Sequence, residues 1–226
     1  MWRCFVNMDF STVHWEEVGK ASIETLQILL VSGLFTVIIG LPLGVLLFMT
    51  ARSQSAKSIL VYSILSVIVN ILRSVPFIIL IVALLPVTRA LVGTATGVLG
   101  TIPPLVIAAA PYFARIVETT LREVDRGVIE AAQAMGASTG QIVRRVLLPE
   151  ALPGLLAGIT ITIVTLVSYT AMAGMVGGGG LGTLAINYGY YRYQTEVMLV
   201  AVVLIVILVQ VLQMFGDRLV KLFTRK

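Results

Sequence analysis

Residues 130–149 read EAAQAMGASTGQIVRRVLLP, a polar and partly charged stretch set between long apolar ones. Its spacing is definite: Glu130-Ala131-Ala132, three residues, Gly136, nine residues, then Val146-x-Leu148-Pro149. Just before and within it, Val128, Ile129, Ala132 and Met135 recur at i, i+1, i+4 and i+7, the pattern of an apolar stripe on a helix. Gly136 then ends that helix, because glycine enters the left-handed region without steric cost. Ser138 or Thr139 caps a second short helix, and Pro149 is expected to stop it. The product is a helix–turn–helix elbow with Arg122, Arg126, Arg144 and Arg145 around it. Such an amphipathic element fits a groove on a partner protein or lies on an anionic membrane surface; periodicity alone leaves both open.

The rest of the chain decides where the elbow sits. Of 226 residues, 58% are hydrophobic and only 12% charged, and mean hydropathy is +1.01. A soluble domain of this size would lack polar cover, so the chain is read as an all-α integral membrane protein. A bilayer core of about 30 Å takes roughly 20 apolar residues of helix. Charge-free windows at Thr25–Ala51, Ala90–Ala114, Ala151–Tyr191 and Val197–Gly216 meet that need. The third is too long for one span and ends in glycines, so its helix is placed near 154–176. Residues 58–92 are apolar apart from Arg73 and Arg89, with Pro76 near the middle. One bent span around 62–85 is preferred; an interfacial helix followed by a short span is the alternative. Five spans result, at about 26–49, 62–85, 98–117, 154–176 and 197–216. They form one membrane domain over 25–217, with an external segment 1–24, the elbow in a loop 118–150 and a basic tail 218–226.

Basic loops stay cytoplasmic. With the N-terminus outside, the inner side receives Arg52, Lys57, Arg115, Arg122, Arg126, Arg144, Arg145, Arg218, Lys221, Arg225 and Lys226. The outer side receives Arg3, Lys20, Arg89 and Arg192, and Arg73 lies in or near the membrane. This imbalance predicts N-out, C-in, with the elbow cytoplasmic. The net charge of +5 then marks the inner leaflet rather than a nucleic-acid site. Asp9, Glu16, Glu17 and Glu24 interrupt the first 24 residues, so no cleaved signal peptide is read and the first span is expected to direct insertion.

Chemistry-bearing clusters are sparse. Cys4 and His14 are the single cysteine and histidine, which excludes an intrachain disulfide and a His-based metal site. No paired carboxylates or nucleophile–base set points to an enzyme. The glycine-rich run from Gly177, GGGGLGT, carries no lysine and is not a phosphate-binding P-loop. Gly174, Gly177, Gly178, Gly179, Gly180 and Gly182 cannot stabilise a helix. At membrane depth such backbone is tolerated only where protein buries it or water reaches it. A loop folding back toward a pathway and a flexible external hairpin both remain open. Met172 and Met175 punctuate the run; methionine adapts to a moving neighbour, and it is also ordinary packing. An Arg73 in the membrane would take Asn70, Ser74 or carbonyls freed by Pro76 as partners, or snorkel to the interface. Gly40-x-x-x-Gly44 and Gly154-x-x-x-Gly158 permit close helix contact. Five spans make a thin wall, so the pathway is expected between two copies of the chain.

The ordered elbow pattern resembles the EAA loop of bacterial ABC importer permeases, and its flanks narrow the likeness. RSVPFIIL at 73–80, RRVLLPEALPGL at 144–155 and the run Met172–Gly182 resemble the D/L-methionine importer permeases, over about residue 20 to the C-terminus. One departure is small: Val146 stands where the pattern often has isoleucine. The resemblance implies a type I importer permease fold in the bacterial inner membrane. It implies ATPase docking on the coupling elbow at Glu130, Ala131, Ala132, Gly136, Ala137, Leu148 and Pro149. It implies a gate at Met172, with Met175, Gly177 and Gly178 along the pathway. Two permease copies would pair with two ATPase subunits, which carry the ATP and Mg, and an external substrate-binding lipoprotein would deliver methionine for alternating access. No cofactor or metal is expected in this chain. Outer loops near 86–97 and 177–195 are where the binding protein would dock; Tyr188, Tyr190, Tyr191 and Tyr193 are contacts there or an interfacial aromatic belt.

Other permeases share the docking pattern, so another small solute is an alternative. An ion-coupled secondary transporter is the rival from a different class. It would want carboxylates inside the spans, whereas Glu118, Glu196 and Asp217 fall at their ends, and no inverted repeat is found.

Overall fold

The computed structural model describes residues 13–52 and 55–224; Arg3, Cys4, Asp9, Arg225 and Lys226, used above, lie outside them. Every regular element among the described residues is a helix, and none is a strand. The main helices are α1 (Trp15–Arg52), α2 (Ala56–Ser74), α3 (Phe77–Val92), α4 (Gly97–Arg122), α5 (Arg126–Ala134) and α6 (Thr139–Ile142). They continue as α7 (Leu148–Glu150), α8 (Leu152–Ala173), α9 (Gly180–Leu184) and α10 (Thr195–Phe223). Five segments are long and apolar enough to cross a membrane: Trp15–Arg52, Ala56–Ser74, Gly97–Arg122, Leu152–Val176 and Thr195–Phe223.

The stretch expected as one bent span, 62–85, is not one continuous helix. Val75 is extended (φ −80°, ψ 125°) and Pro76 follows it, so α2 ends at Ser74 and α3 starts at Phe77. The cause is local. Proline crowds the residue before it out of the α region and brings no N–H to continue the ladder. The spanning candidate here is therefore α2, with α3 a shorter apolar helix.

The chain divides into two compact units, one built from residues to Leu34, Pro76–Val106 and Ile163–Leu212, the other from Phe35–Val75, Ile107–Thr162 and residues from Gln213. In the second, the late part of α1 lies directly on α4. A Cβ on Gly40 would sit 2.9 Å from the Ala110 carbonyl oxygen, and one on Gly44 would sit 2.5 Å from the Ala114 carbonyl oxygen. Across α4, Gly154 and Gly158 of α8 approach Thr120 and Ile116 as closely. Both glycine pairs are thus real helix contacts. Van der Waals packing drives such contacts, since lipid is as apolar as leucine. α2 is less well held. Val69 is buried, and Tyr62 and Leu65 rest half-buried against Leu47 and Ala114. Arg73 lies 6.0 Å from the Tyr112 ring centroid, a cation–π neighbour the sequence reading did not name.

The first unit gathers Val18 and Ala21 of α1 with Leu181 and Leu184 of α9, Ala185, and Val197 and Ala201 of α10. Phe77 of α3 stacks on Tyr169 of α8 with centroids 4.5 Å apart.

Candidate functional site

The elbow forms as a folded object. The Asp125 carboxylate caps α5 by accepting the Gly127 N–H at 2.6 Å, a cap the sequence reading missed. After α5, Gly136 takes φ +80°. Ser138 then closes a capping box with Gln141: its hydroxyl accepts the Gln141 N–H and its own N–H reaches the Gln141 side chain at 2.8 Å. Pro149 does not stop the second helix, contrary to expectation. Residues 143–147 form a π turn in which the Leu148 N–H bonds the Val143 carbonyl, and Pro149 falls in the first turn of α7. The ladder continues past Pro149, which brings no N–H of its own, and the Ala151 N–H bonds the Leu147 carbonyl at 2.9 Å.

Anchors and display separate by face. Ile129, Ala132, Ile142 and Leu147 are buried on Phe113, Val117 and Leu121 of α4 and Leu155 of α8. Glu130, Ala131, Gln133, Gly136 and Pro149 are exposed, whereas Ala137 and Leu148 are half-buried. Of the expected apolar stripe only Ile129 and Ala132 point inward; Val128 is 43% and Met135 82% exposed. A short helix can bury only about a third of its circumference, and here that third holds Ile129 and Ala132. Ala132 is therefore an anchor, and the displayed face carries Glu130, Ala131 and Met135.

Glu118 stands at the foot of the elbow, 1% exposed, four residues before the end of α4. Arg115 and Arg122 of the same helix both hold its carboxylate, and the Tyr62 hydroxyl of α2 lies 3.4 Å away. This is a paired carboxylate, unlike a free ion-binding one. Glu118→Ala leaves two arginines that are partly exposed and can rehydrate, so the expected loss is below the usual cost of a broken buried pair, about 2 kcal/mol. Thermal unfolding of the purified protein measures it.

The glycine-rich run is ordered. Gly177 and Gly179 take φ +74° and +84°. Four bonds tie the run to α1 and α4: the Gly97 N–H donates to the Gly177 carbonyl at 2.8 Å, and the Thr101 hydroxyl lies 2.7 Å from the Gly178 carbonyl. Glu24 accepts the Gly180 N–H at 2.9 Å, and Thr25 accepts the Leu181 N–H at 2.8 Å. A flexible hairpin would carry no such set, so that reading is set aside. Met172 and Met175 are 45% and 57% exposed, which makes neither of them core packing within this chain. Gly178 is buried and Gly177 exposed.

Tyr190, Tyr191 and Tyr193 project outward, Tyr193 at φ +57°, while Tyr188 stacks under Arg192 at 4.4 Å. Hydrogen bonding to the Glu17 carboxylate pushes the Tyr188 hydroxyl above its usual range.

Residues 40–226 match the family model described as "binding-protein-dependent transport system inner membrane component". The D-methionine transport system permease protein MetI of Escherichia coli (strain K12) is 57% identical over 203 residues, 90% of this chain and 94% of its own length. The probable D-methionine transport permease MetI of Vibrio cholerae is 50% identical over 220 residues, 95% of this chain and 98% of its own. Among solved structures, an inward-facing MetNI methionine ABC transporter matches with TM-score 0.89 and 52% identity, covering 93% of this chain and 97% of that one. An amino acid ABC transporter crystallised with histidines shares the fold at TM-score 0.73 and 18% identity.

Proposed function

The chain belongs to the binding-protein-dependent transport system inner membrane components, and on that premise we infer that it is the permease subunit of an ATP-driven methionine importer. It is a multi-pass inner-membrane protein that moves solute, not an enzyme. Methionine rests on the identity of 57% to a D-methionine permease over nearly the whole chain.

The mechanism follows from the elbow. Exposed Glu130, Ala131 and Met135 stand on a base clamped to α4 and α8, so a force applied to the displayed face is transmitted into two spanning helices. That separation of anchor and display is the single observation that carries the docking reading. In this scheme the elbow is cytoplasmic, as the basic residues ask. ATP is bound and hydrolysed by a separate subunit, because this chain has no P-loop. Two copies enclose the pathway, and an external binding protein delivers substrate to the side bearing the glycine run and the tyrosines. Each nucleotide state then favours one access state of the permease pair.

The deciding experiment reconstitutes the chain with its ATPase and binding protein in vesicles. Methionine uptake is expected only with ATP, and uptake by the chain alone, driven by an ion gradient, overturns the reading. Met172 is assigned to the gate with Met175, Gly177 and Gly178. Met172→Ala is expected to raise ATP hydrolysis that is not accompanied by uptake by about threefold, the effect of removing a side chain that seals by contact. Hydrolysis and uptake measured on the same vesicles check it.

A further inference from the structure

The glycine-rich run is tied to elements far away in the chain by side chains that no transport step has yet used. α9 begins at Gly180, and its first two amides have no partner within the helix. Glu24 and Thr25 of α1 take them, by an oxygen of a carboxylate and by a hydroxyl. Thr25 is 2% exposed, and its hydroxyl also donates to the Ala21 carbonyl at 2.9 Å, so both of its hydrogen-bonding roles are filled. On the opposite edge, Gly97 and Thr101 of α4 hold the Gly177 and Gly178 carbonyls.

Space is as tight as the bonding. A Cβ on Gly178 would lie 2.7 Å from the Thr101 hydroxyl, one on Gly180 2.5 Å from the Thr25 hydroxyl, and one on Gly182 2.7 Å from the Ala171 Cα. These glycines let neighbouring elements come close; they do not make the segment loose. A side-chain oxygen that accepts an otherwise unpaired amide stabilises a helix start as a cap does.

We propose that Glu24 and Thr25 are positioning residues that lock the glycine-rich run, so that residues 177–184 travel with the starts of α1 and α4 as one rigid piece. Any opening on this side of the permease therefore moves that piece whole, and no flap swings within it. Glu24 holds the first amide of α9, and an acceptor oxygen at that place, charged or not, is what the lock needs. The proposal builds on the pathway reading only for its consequence to transport.

Two measurements on the complete transporter, with Cys4 replaced by serine, test it. In the first, Leu181→Cys, whose parent side chain is 2% exposed, is labelled by a membrane-impermeant maleimide. Glu24→Ala is expected to raise its labelling rate about fivefold, and Glu24→Gln, which keeps an acceptor oxygen, to stay within about twofold. An unchanged rate in Glu24→Ala, or an equal rise in both variants, overturns the lock. This result does not depend on what the protein carries. In the second, Thr96→Cys and Gly177→Cys are joined; a Cβ on Gly177 would lie 3.8 Å from the Thr96 methyl group. Closure is scored by loss of free thiols, with a short bis-methanethiosulfonate linker where the direct disulfide does not form. Uptake is compared with that of the same double-cysteine transporter before joining, so that the substitution at Gly177 cancels, and the joined form is expected to keep at least about half of it. Loss of about tenfold or more, reversed by reductant, means the run must part from α4 and overturns the rigid piece.

Discussion

Gly136→Val is expected to cut methionine uptake about tenfold or more while the amount of folded permease changes less than about twofold. The reason lies in the backbone. Gly136 holds φ +80°, and a Cβ placed there meets nothing within 4 Å. The first atom of the new side chain therefore meets no neighbour, and the effect rests on the cost of a β-branched residue in the left-handed region, about 1–2 kcal/mol. The elbow relieves that strain by changing the angle between α5 and α6. Ile129, Ala132, Ile142 and Leu147 keep the base in place, so the error appears on the displayed face. A docking surface set at the wrong angle loses transmitted motion without losing insertion. Gly136→Asn tests the account from the other side, since asparagine tolerates the left-handed region, and it should stay within about threefold of the parent. Uptake and ATPase co-purification are measured together. Full uptake by the valine variant would mean that the elbow's angle plays no part in coupling.

This contrast also shows what could be read from residues alone. Hydropathy placed five spans because the number of apolar residues needed to cross a bilayer is a physical length. Gly136 was legible because a glycine between two helical patterns has one conventional use. Pro149 was misread for an equally physical reason: the stop rule assumes α-type bonding, and the π turn over 143–147 shifts the register so that proline starts a helix segment. Nor could periodicity tell which half of the stripe Val128, Ile129, Ala132 and Met135 would be covered, because burial depends on elements distant in sequence. The partner of Glu24 was not legible for the same reason. An acidic residue near the start of an apolar helix looks like an interfacial charge, and its partner is 156 residues away. One signal was available: a lone carboxylate beside a threonine at the edge of a span, in a chain whose glycine run leaves amides unsatisfied.

The largest expected loss of stability comes from Gly44→Leu. α1 and α4 touch here through backbone: a Cβ on Gly44 would lie 2.5 Å from both the Ala114 carbonyl oxygen and the Val117 Cβ. Ordinary overpacking costs about 1–3 kcal/mol because side chains give way. A carbonyl inside a helix cannot give way, so the two helices must separate. That separation strips packing from Phe113 and Val117, which are fully buried beneath the elbow. The expected cost is at or above about 4 kcal/mol, a value reserved for mutations with a specific structural cause. Size-exclusion profiles should show at least about a tenfold drop in monodisperse protein. Trimming the opposing side chain, Gly44→Leu with Val117→Ala, should not restore it, because the Cβ and the carbonyl remain. Gly19→Leu is the matched control on the same helix, since a Cβ there meets nothing within 4 Å. It should be neutral or slightly stabilising, as leucine is the better helix former by about 0.5–1 kcal/mol. Equal behaviour of the Gly44 and Gly19 variants would mean that α1 does not approach α4 through Gly44.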